Sequence, residues 1–351
     1  MIAVQCNVSL QPFNSFGIAA RAAALARVRS ADDVRALLAD SQWRDMPKFV
    51  LGGGSNIVLT GDMKSLVLKV ETGGLRVAGE TARHVIVEAG AGECWHDIVT
   101  WTLDQGLPGL ENLALIPGTA GGAAVQNIGA YGVELQDRFH ALDAIDLTTG
   151  REFTLNAAQC GFSYRDSVFK HAAAQPGDFG LAGRALVLRV RLALPKAWKP
   201  ELGYLDLQRK VQESGIAAPA ARQIYDWVVA IRRAKLPDPQ VLGNAGSFFK
   251  NPTVTPDQCQ DIIGRDPAVV HYPMPDGSIK LAAGWLIDAC GWKGKGVGNA
   301  AVYDRQALVL VNRGGREHPA TGGEVMTLAS AIQTSVYERF GIRLEPEPVV
   351  V

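Results

Sequence analysis

Hydrophobic residues recur at two spacings along this chain, and the spacing changes from one segment to the next. In SADDVRALLA, Val34, Leu37 and Leu38 fall at helical intervals behind Ser30, with an acid three residues on, which predicts a capped amphipathic helix. From about residue 65 the texture changes. SLVLKV, HVIVEA and RALVLRVRLAL are rich in branched side chains that partly alternate with polar ones, so strands of mixed exposure are predicted. Between them ECWHDIVTWTLDQG sets Trp95, Ile98, Val99 and Thr102 on one helical face, with Gly106 as a stop. RQIYDWVVAIRRAKLPDP predicts a further helix, with Ile224, Trp227, Val228 and Ile231 as its apolar face and Pro237 as its end. The last third alternates helix and strand through TPDQCQDIIG, KLAAGWLIDACG and QALVLVN. It then reaches TGGEVMTLASAIQTSVYERFG, where Thr321 and Glu324 form a capping-box pattern. Val325, Leu328, Ile332, Val336 and Phe340 keep the period as far as Gly341. No internal repeat or low-complexity linker interrupts this mixture, and its class is α+β or mixed α/β.

Length adds only that 351 residues suffice for two or three domains. Charge excludes more. Lys plus Arg (35) equals Asp plus Glu (35), so nothing in the balance draws the chain to nucleic acid or to an anionic membrane. The N-terminal MIAVQCNVSL lacks the charged flank and apolar core of a signal peptide. The best apolar run, ALVLRVRLAL, is broken by two arginines and falls short of the ~20 residues of a membrane helix. Five scattered cysteines without a Cys-x-x-Cys pair point to reduced thiols in a cytoplasm, and the six histidines show no ligand spacing, so no metal is expected. No interface is legible, which leaves a monomer as the default.

Candidate chemistry sits where the periodic patterns fail. LGGGSN (Gly52, Gly53, Gly54, Ser55, Asn56) follows a predicted strand but misses the dinucleotide fingerprint, because its sixth position is Ile57. Consecutive glycines expose backbone N–H groups that can form an anion nest, or simply make a tight turn. IPGTAGGAAVQNIGAYG, Ile116 to Gly132, is dominated by glycine and alanine around Gln126 and Asn127. Small residues at this density let a backbone lie against a large planar or phosphorylated ligand. Two such clusters in separate parts of the fold would suit a long cofactor gripped at more than one place. In GNAGSFFKNP, Ser247 stands between flexible backbone and two phenylalanines. Arg165 in FSYRDSVFK is either a surface ion pair or a planar clamp for a carboxylate. Lys235, Lys250, Glu345 and Glu347 are open to a bland reading as solvated charge.

Taken in order, FNSFGI, LGGGSNIVL, IPGTAGGAAVQNIGAYG, YRDSVF, KLPDP, GNAGSFFKNP, AAGWLIDACGWKG, ALVLVN and LEPE resemble the UDP-N-acetylenolpyruvoylglucosamine reductases, flavoenzymes of bacterial peptidoglycan precursor synthesis. The resemblance runs nearly the whole chain. KPELGYLDL is similar to the tyrosine-bearing loop of the family's larger subtype. After LEPE the family's usual continuation is replaced by EPVVV.

The resemblance implies a two-part FAD-binding region of the PCMH/vanillyl-alcohol-oxidase type plus a separate α+β substrate-binding domain. Residues 1–70 are expected to form the first FAD-binding subdomain, joined by the segment from about 341 to 351. Residues 71–235 would form the second, and residues 236–340 the substrate-binding domain. Non-covalent FAD is expected, since neither glycine cluster holds a histidine or cysteine, with NADPH as co-substrate. The flavin would lie along Gly52, Gly53, Gly54, Ser55 and Asn56, and along Pro117, Gly118, Thr119, Gly121, Gly122, Val125, Asn127 and Gly129. Tyr131, Tyr204, Lys235, Asn251, Lys293 and Gln306 match positions linked to the UDP-sugar. The implied reaction reduces an enol ether next to a carboxylate. Ser247 would protonate the carbon beside that carboxylate, Arg165 would bind the carboxylate and stabilise the enolate, and Glu347 would sit on the same side. A hydroxyl is a poor acid, so it must be held in contact with the carbon it protonates. A bare carboxylate would oppose the enolate, so Glu347 must be protonated, water-linked or offset by Arg165. Two rivals remain at this point: another flavin oxidase of the same fold acting on an alcohol or sugar lactone, and a nucleotide-sugar binding protein without catalysis.

Overall fold

The computed structural model describes residues 2–173 and 180–351, which form two compact units. The first takes the described residues up to Val8, then Ala22–Gly53 and Lys64–Ala234; the second takes Ser9–Arg21, Gly54–Met63 and Lys235–Val351. This division is coarser than the three parts expected from the sequence, and it groups 9–21 and 54–63 with the C-terminal third.

In the first unit, Ser30 caps the helix Ala31–Ala39 and forms the reciprocal box with Asp33. One sheet has the order Val4–Ser9, Arg21–Val28, Met63–Val70, Lys48–Leu51, and its last two strands run parallel with Leu51 opposite Lys69. A second sheet is antiparallel throughout, in the order Glu152–Asn156, Phe139–Asp146, Ala185–Pro195, His84–Gly90, Leu75–Glu80. Its open face carries Glu88 and Asp143, which Arg76, Arg189 and Arg191 neutralise. The helix Trp95–Asp104 buries the four side chains its periodicity selects, Trp95, Ile98, Val99 and Thr102. These join one apolar core running from the first strands to Ile224, Val228 and Ile231 of the helix Ala221–Lys235.

Two helices near the glycine-rich and tyrosine-bearing segments of this unit are among those the sequence does not anticipate. Ala120–Gln126 lies inside the small-residue cluster, with the Thr119 hydroxyl accepting from Gly122 N–H. Alanine and a threonine cap outweigh two glycines once the helix is packed. Leu205–Ser214 follows Tyr204 directly and fully buries only Leu207, so its sequence carries little apolar period.

The second unit holds a sheet in the order Asn244–Ser247, Val309–Asn312, Ala300–Val302, Gly296–Val297, and a smaller one of Thr253–Val254, Ile279–Leu281 and His271–Pro273. Thr321 and Glu324 cap the helix Gly322–Phe340, which Gly341 ends at φ +71. Val349–Val350 pairs in parallel with Ile57–Val58. Among the described residues no helix is long and apolar enough to cross a membrane.

Candidate functional site

In the first unit Gly52 and Gly53 of the first glycine cluster lie against Gly118 and Thr119 of the second, so these parts of the two clusters are neighbours. A Cβ on Gly53 would stand 2.9 Å from the Gly118 Cα, and one on Gly52 would stand 3.0 Å from the Thr119 hydroxyl. Only bare backbone permits that approach. The contact sits just beyond the carboxyl end of the parallel strand pair, where open sheets of this kind bind ligands. Lys69 reaches across from the neighbouring strand and donates to Gly52 C=O at 2.7 Å. It is half-buried, burial lowers its pKa, and among the described residues it forms no ion pair. Sequence reasoning passed over this lysine, although it is a lone cation within SLVLKV.

The remaining members of the second cluster divide by role. Pro117 is exposed, and Gly122 has room for a Cβ, which would meet only the Thr119 hydroxyl, in ordinary contact at 3.6 Å. Gly121 instead packs on Ala91, at 2.9 Å from an added Cβ. Val125 is half-buried, and its carbonyl accepts from Ser167 Oγ at 2.6 Å. Asn127 is fully buried, and its amide is spent on Glu134, Ser163 C=O and Gln136 N–H. Its side chain therefore holds the loop and does not face outward.

Strain marks the next group. Five non-glycine residues among those described have positive φ, and four of them belong here: Leu115 (+59), Asn127 (+40), Tyr131 (+49) and Arg165 (+56). Each such residue costs about 1–3 kcal/mol and persists only where its surroundings impose it. Arg165 Nη2 donates to Gly129 C=O at 2.7 Å, and a Cβ on Gly129 would fall 3.0 Å from the other guanidinium nitrogen. Gly129 is thus bare to admit both the arginine and the Glu134 side chain, which would lie 2.9 Å from an added Cβ. Lys170 Nζ holds the Arg165 carbonyl at 2.9 Å. The Tyr131 ring meets Tyr204 edge-on at 5.1 Å, and Tyr204 is 42% exposed at the start of its helix. Burial pushes the Tyr131 phenol up to about 12 against the opposing pull of Arg232, to which it is hydrogen-bonded. Arg232 was not singled out from the sequence. Burial holds its pKa below the ordinary arginine value, and the charge of Arg165 pushes the same way. Two guanidinium groups this close repel, and an anion bound beside them would relieve that repulsion.

In the second unit the strand Asn244–Ser247 is bulged against Val309, with Gly246 at φ +71. Asn244 is buried; its side chain accepts from Gly246 N–H, and its backbone is paired with Ser15. Phe248 and Phe249, both fully buried, meet edge-on at 5.2 Å directly after Ser247. The bulge re-aims Ser247, and the two phenylalanines pin the chain on its C-terminal side. Among the described residues none hydrogen-bonds the half-buried Ser247 hydroxyl.

Glu347 comes to the same place. Its N–H donates to Phe248 C=O at 2.8 Å, Lys250 N–H donates to Glu345 C=O, and Phe249 bridges Pro346. Asn56 Nδ2 holds Glu347 C=O at 3.3 Å, and Val349 N–H returns to Asn56 C=O. Ser55 is half-buried beside it, and Gly54, at φ +63, is bare because a Cβ would strike Phe13 C=O. Glu347 is half-buried, whereas Glu345 turns outward to pair with Lys250.

Asn251 Oδ1 accepts from Ala283 N–H, and the Gln306 amide would block a Cβ on Gly284, so both gather at the first turn of the helix Ala283–Ala289. Lys293 does not join them and pairs with Asp288 near that helix's other end. Lys235 is the exposed last residue of its helix. Among the described residues no cluster of His, Cys, Asp and Glu could hold a metal.

Residues 22–156 match the model of an FAD binding domain, and residues 238–351 match that of the UDP-N-acetylenolpyruvoylglucosamine reductase C-terminal domain. The UDP-N-acetylenolpyruvoylglucosamine reductase of Azoarcus sp. (strain BH72) is 58% identical over 354 residues, covering 100% of this chain and 98% of its own. That of Burkholderia vietnamiensis (strain G4 / LMG 22486) is 55% identical over 342 residues, with 97% and 95% covered. The crystal structure of UDP-N-acetylenolpyruvylglucosamine reductase from Thermus caldophilus superposes with a TM-score of 0.68 at 25% identity, covering 100% of this chain and 99% of that one.

Proposed function

The chain belongs to the UDP-N-acetylenolpyruvoylglucosamine reductase family, and on that premise we propose that Arg165, Ser247 and Glu347 carry the NADPH-driven reduction of UDP-N-acetylglucosamine enolpyruvate to UDP-N-acetylmuramate. FAD, when bound, supplies hydride transfer from the nicotinamide to the enolpyruvyl double bond. The residues present fit that group: two bare glycine clusters in contact, room for a Cβ at Gly122, and a half-buried lysine at Gly52 suit a diphosphate with a planar ring. Gly52, Gly53, Gly118 and Thr119 would line it, with Lys69 as the nearby cation.

The observation that carries the catalytic reading is the bulge at Ser247 with Glu347 bonded across Phe248. It holds an available hydroxyl and an acid on one rigid frame. Arg165 would take the substrate carboxylate with its planar fork and stabilise the enolate as charge develops. Ser247 would give its proton to the carbon beside that carboxylate. Tyr131, Tyr204, Lys235, Asn251, Lys293 and Gln306 would hold the UDP-sugar, Lys293 only after leaving Asp288. We read the first unit as the flavin-holding part and about 236–340 as the substrate domain of a soluble, cytoplasmic, monomeric enzyme of peptidoglycan precursor synthesis.

The test is anaerobic. A yellow protein bleached by NADPH and reoxidised by the enolpyruvyl substrate supports the reading. Reoxidation by oxygen but not by that substrate overturns it.

The cradle has its own test. A Cβ at Gly122 meets only the Thr119 hydroxyl, in ordinary contact at 3.6 Å, so in Gly122→Leu thermal stability without flavin should change little. The FAD dissociation constant should rise at least about tenfold, or roughly 1.4 kcal/mol. Fluorescence titration of the apoprotein measures it, and an unchanged constant would remove Gly122 from the cradle.

A further inference from the structure

His96 has no part in the catalytic and binding roles assigned so far, yet it touches the strained loop that leads into the second glycine cluster. Its Nδ1 accepts from Leu115 N–H at 3.0 Å, and Arg232 Nε donates to Leu115 C=O at 3.3 Å. Leu115 is thus clamped from both sides in a conformation that leucine seldom adopts. Arg232 is in turn hydrogen-bonded to Tyr131 and close enough to Arg165 for their charges to interact. We propose that His96 is a positioning residue, which through the Leu115 peptide keeps Arg232 set against Tyr131 and Arg165.

The surrounding bonds fix which nitrogen carries the proton. Thr100 Oγ1 donates to His96 C=O at 3.0 Å, so the Tyr225 hydroxyl, 2.9 Å away, donates to Thr100. That leaves the Tyr225 oxygen to accept from His96 Nε2 at 3.4 Å, the two rings lying nearly parallel. With the proton on Nε2, Nδ1 is free to accept from Leu115. Protonating the ring replaces that acceptor with a donor and opens the clamp. The groups facing the imidazole are Asp97 on its own helix and Tyr225, Arg232 and Arg233 on the helix Ala221–Lys235. Arg222 lies over the Tyr225 ring and is paired with Asp104. Burial, helped by the two arginines against Asp97, holds the His96 pKa below the ordinary histidine value, which keeps the ring neutral at pH 7.

This inference rests on the proposed function, and its test separates the two. In the holoenzyme, His96→Leu should slow reoxidation by the enolpyruvyl substrate about three- to tenfold, the size of one lost hydrogen bond. Bleaching by NADPH should change less. His96→Asn, whose Oδ1 can replace Nδ1, should restore most of the rate. The wild-type reoxidation rate should fall as pH drops through the His96 titration, and the asparagine variant should lack that limb. A leucine variant reoxidised at the wild-type rate, or an asparagine variant as slow as leucine, overturns the proposal. Should the wild type itself not be reoxidised, the proposed function has failed, and imidazole 15N shifts then decide. A proton on Nε2 supports the clamp; a proton on Nδ1 overturns it.

Discussion

Ser247→Ala should bind FAD and fold as the parent does, be bleached by NADPH at close to the parent rate, and lose the second half-reaction by about a hundred- to ten-thousandfold. The substitution removes one hydroxyl with no hydrogen-bonding partner among the described residues, while Gly246, the bulge and both phenylalanines stay. No described residue hydrogen-bonds that oxygen, so stability and chemistry should separate at this position. Ser247→Cys should recover part of the loss, because a thiol is the stronger acid with similar reach, though its larger sulfur disturbs the geometry. Stopped-flow absorbance of the two half-reactions reads both variants. If the alanine variant is reoxidised by substrate at near the parent rate, Ser247 only packs and another group delivers the proton.

Arg165→Met should slow the same half-reaction by about a hundredfold or more, the range seen when one donor to a developing oxyanion is removed. Arg165→Lys keeps the charge but not the planar fork, and should still lose at least about tenfold, or roughly 1.4 kcal/mol of barrier. Reduction by NADPH develops no charge on the substrate carboxylate and should be affected much less. Both variants place a non-glycine side chain where Arg165 has a φ of +56, so comparing Met with Lys isolates the charge and comparing Lys with the parent isolates the planar fork. Equal losses in both half-reactions would make Arg165 a structural residue.

Periodic elements were legible because their pattern is local. Ser30 with Asp33, and Thr321 with Glu324, identify helix starts from four residues each, and both boxes form. Trp95, Ile98, Val99 and Thr102 select a buried face from spacing alone. What could not be read was long-range. No local pattern says that Gly53 lies against Gly118, that Asn127 is spent on Ser163 and Glu134, or that Lys69 reaches Gly52. Arg232 looked like one more charge in RRAKLPDP, because burial and proximity to Arg165 are properties of the fold. Lys293 was legible only by its motif position, and no local pattern says that it pairs with Asp288.

The pairing of Val349–Val350 with Ile57–Val58 also sets the order of events at the ribosome. The second unit is assembled from Ser9–Arg21, Gly54–Met63 and Lys235–Val351. Its two early stretches emerge long before their partners exist. At about 5–20 residues per second they wait on the order of tens of seconds for residues 345–351. During that interval Phe16, Ile18, Val58 and Leu59, all buried in the finished protein, lack the native surroundings that Lys235–Val351 supplies. The first unit, whose core draws on residues up to Ile231, can close well before then. Nascent chains stalled after about residue 240 should therefore resist protease across the first unit while remaining cleavable within 9–21 and 54–63. The second unit can be completed only once residues 345–351 have been made, and its early segments wait for them until then.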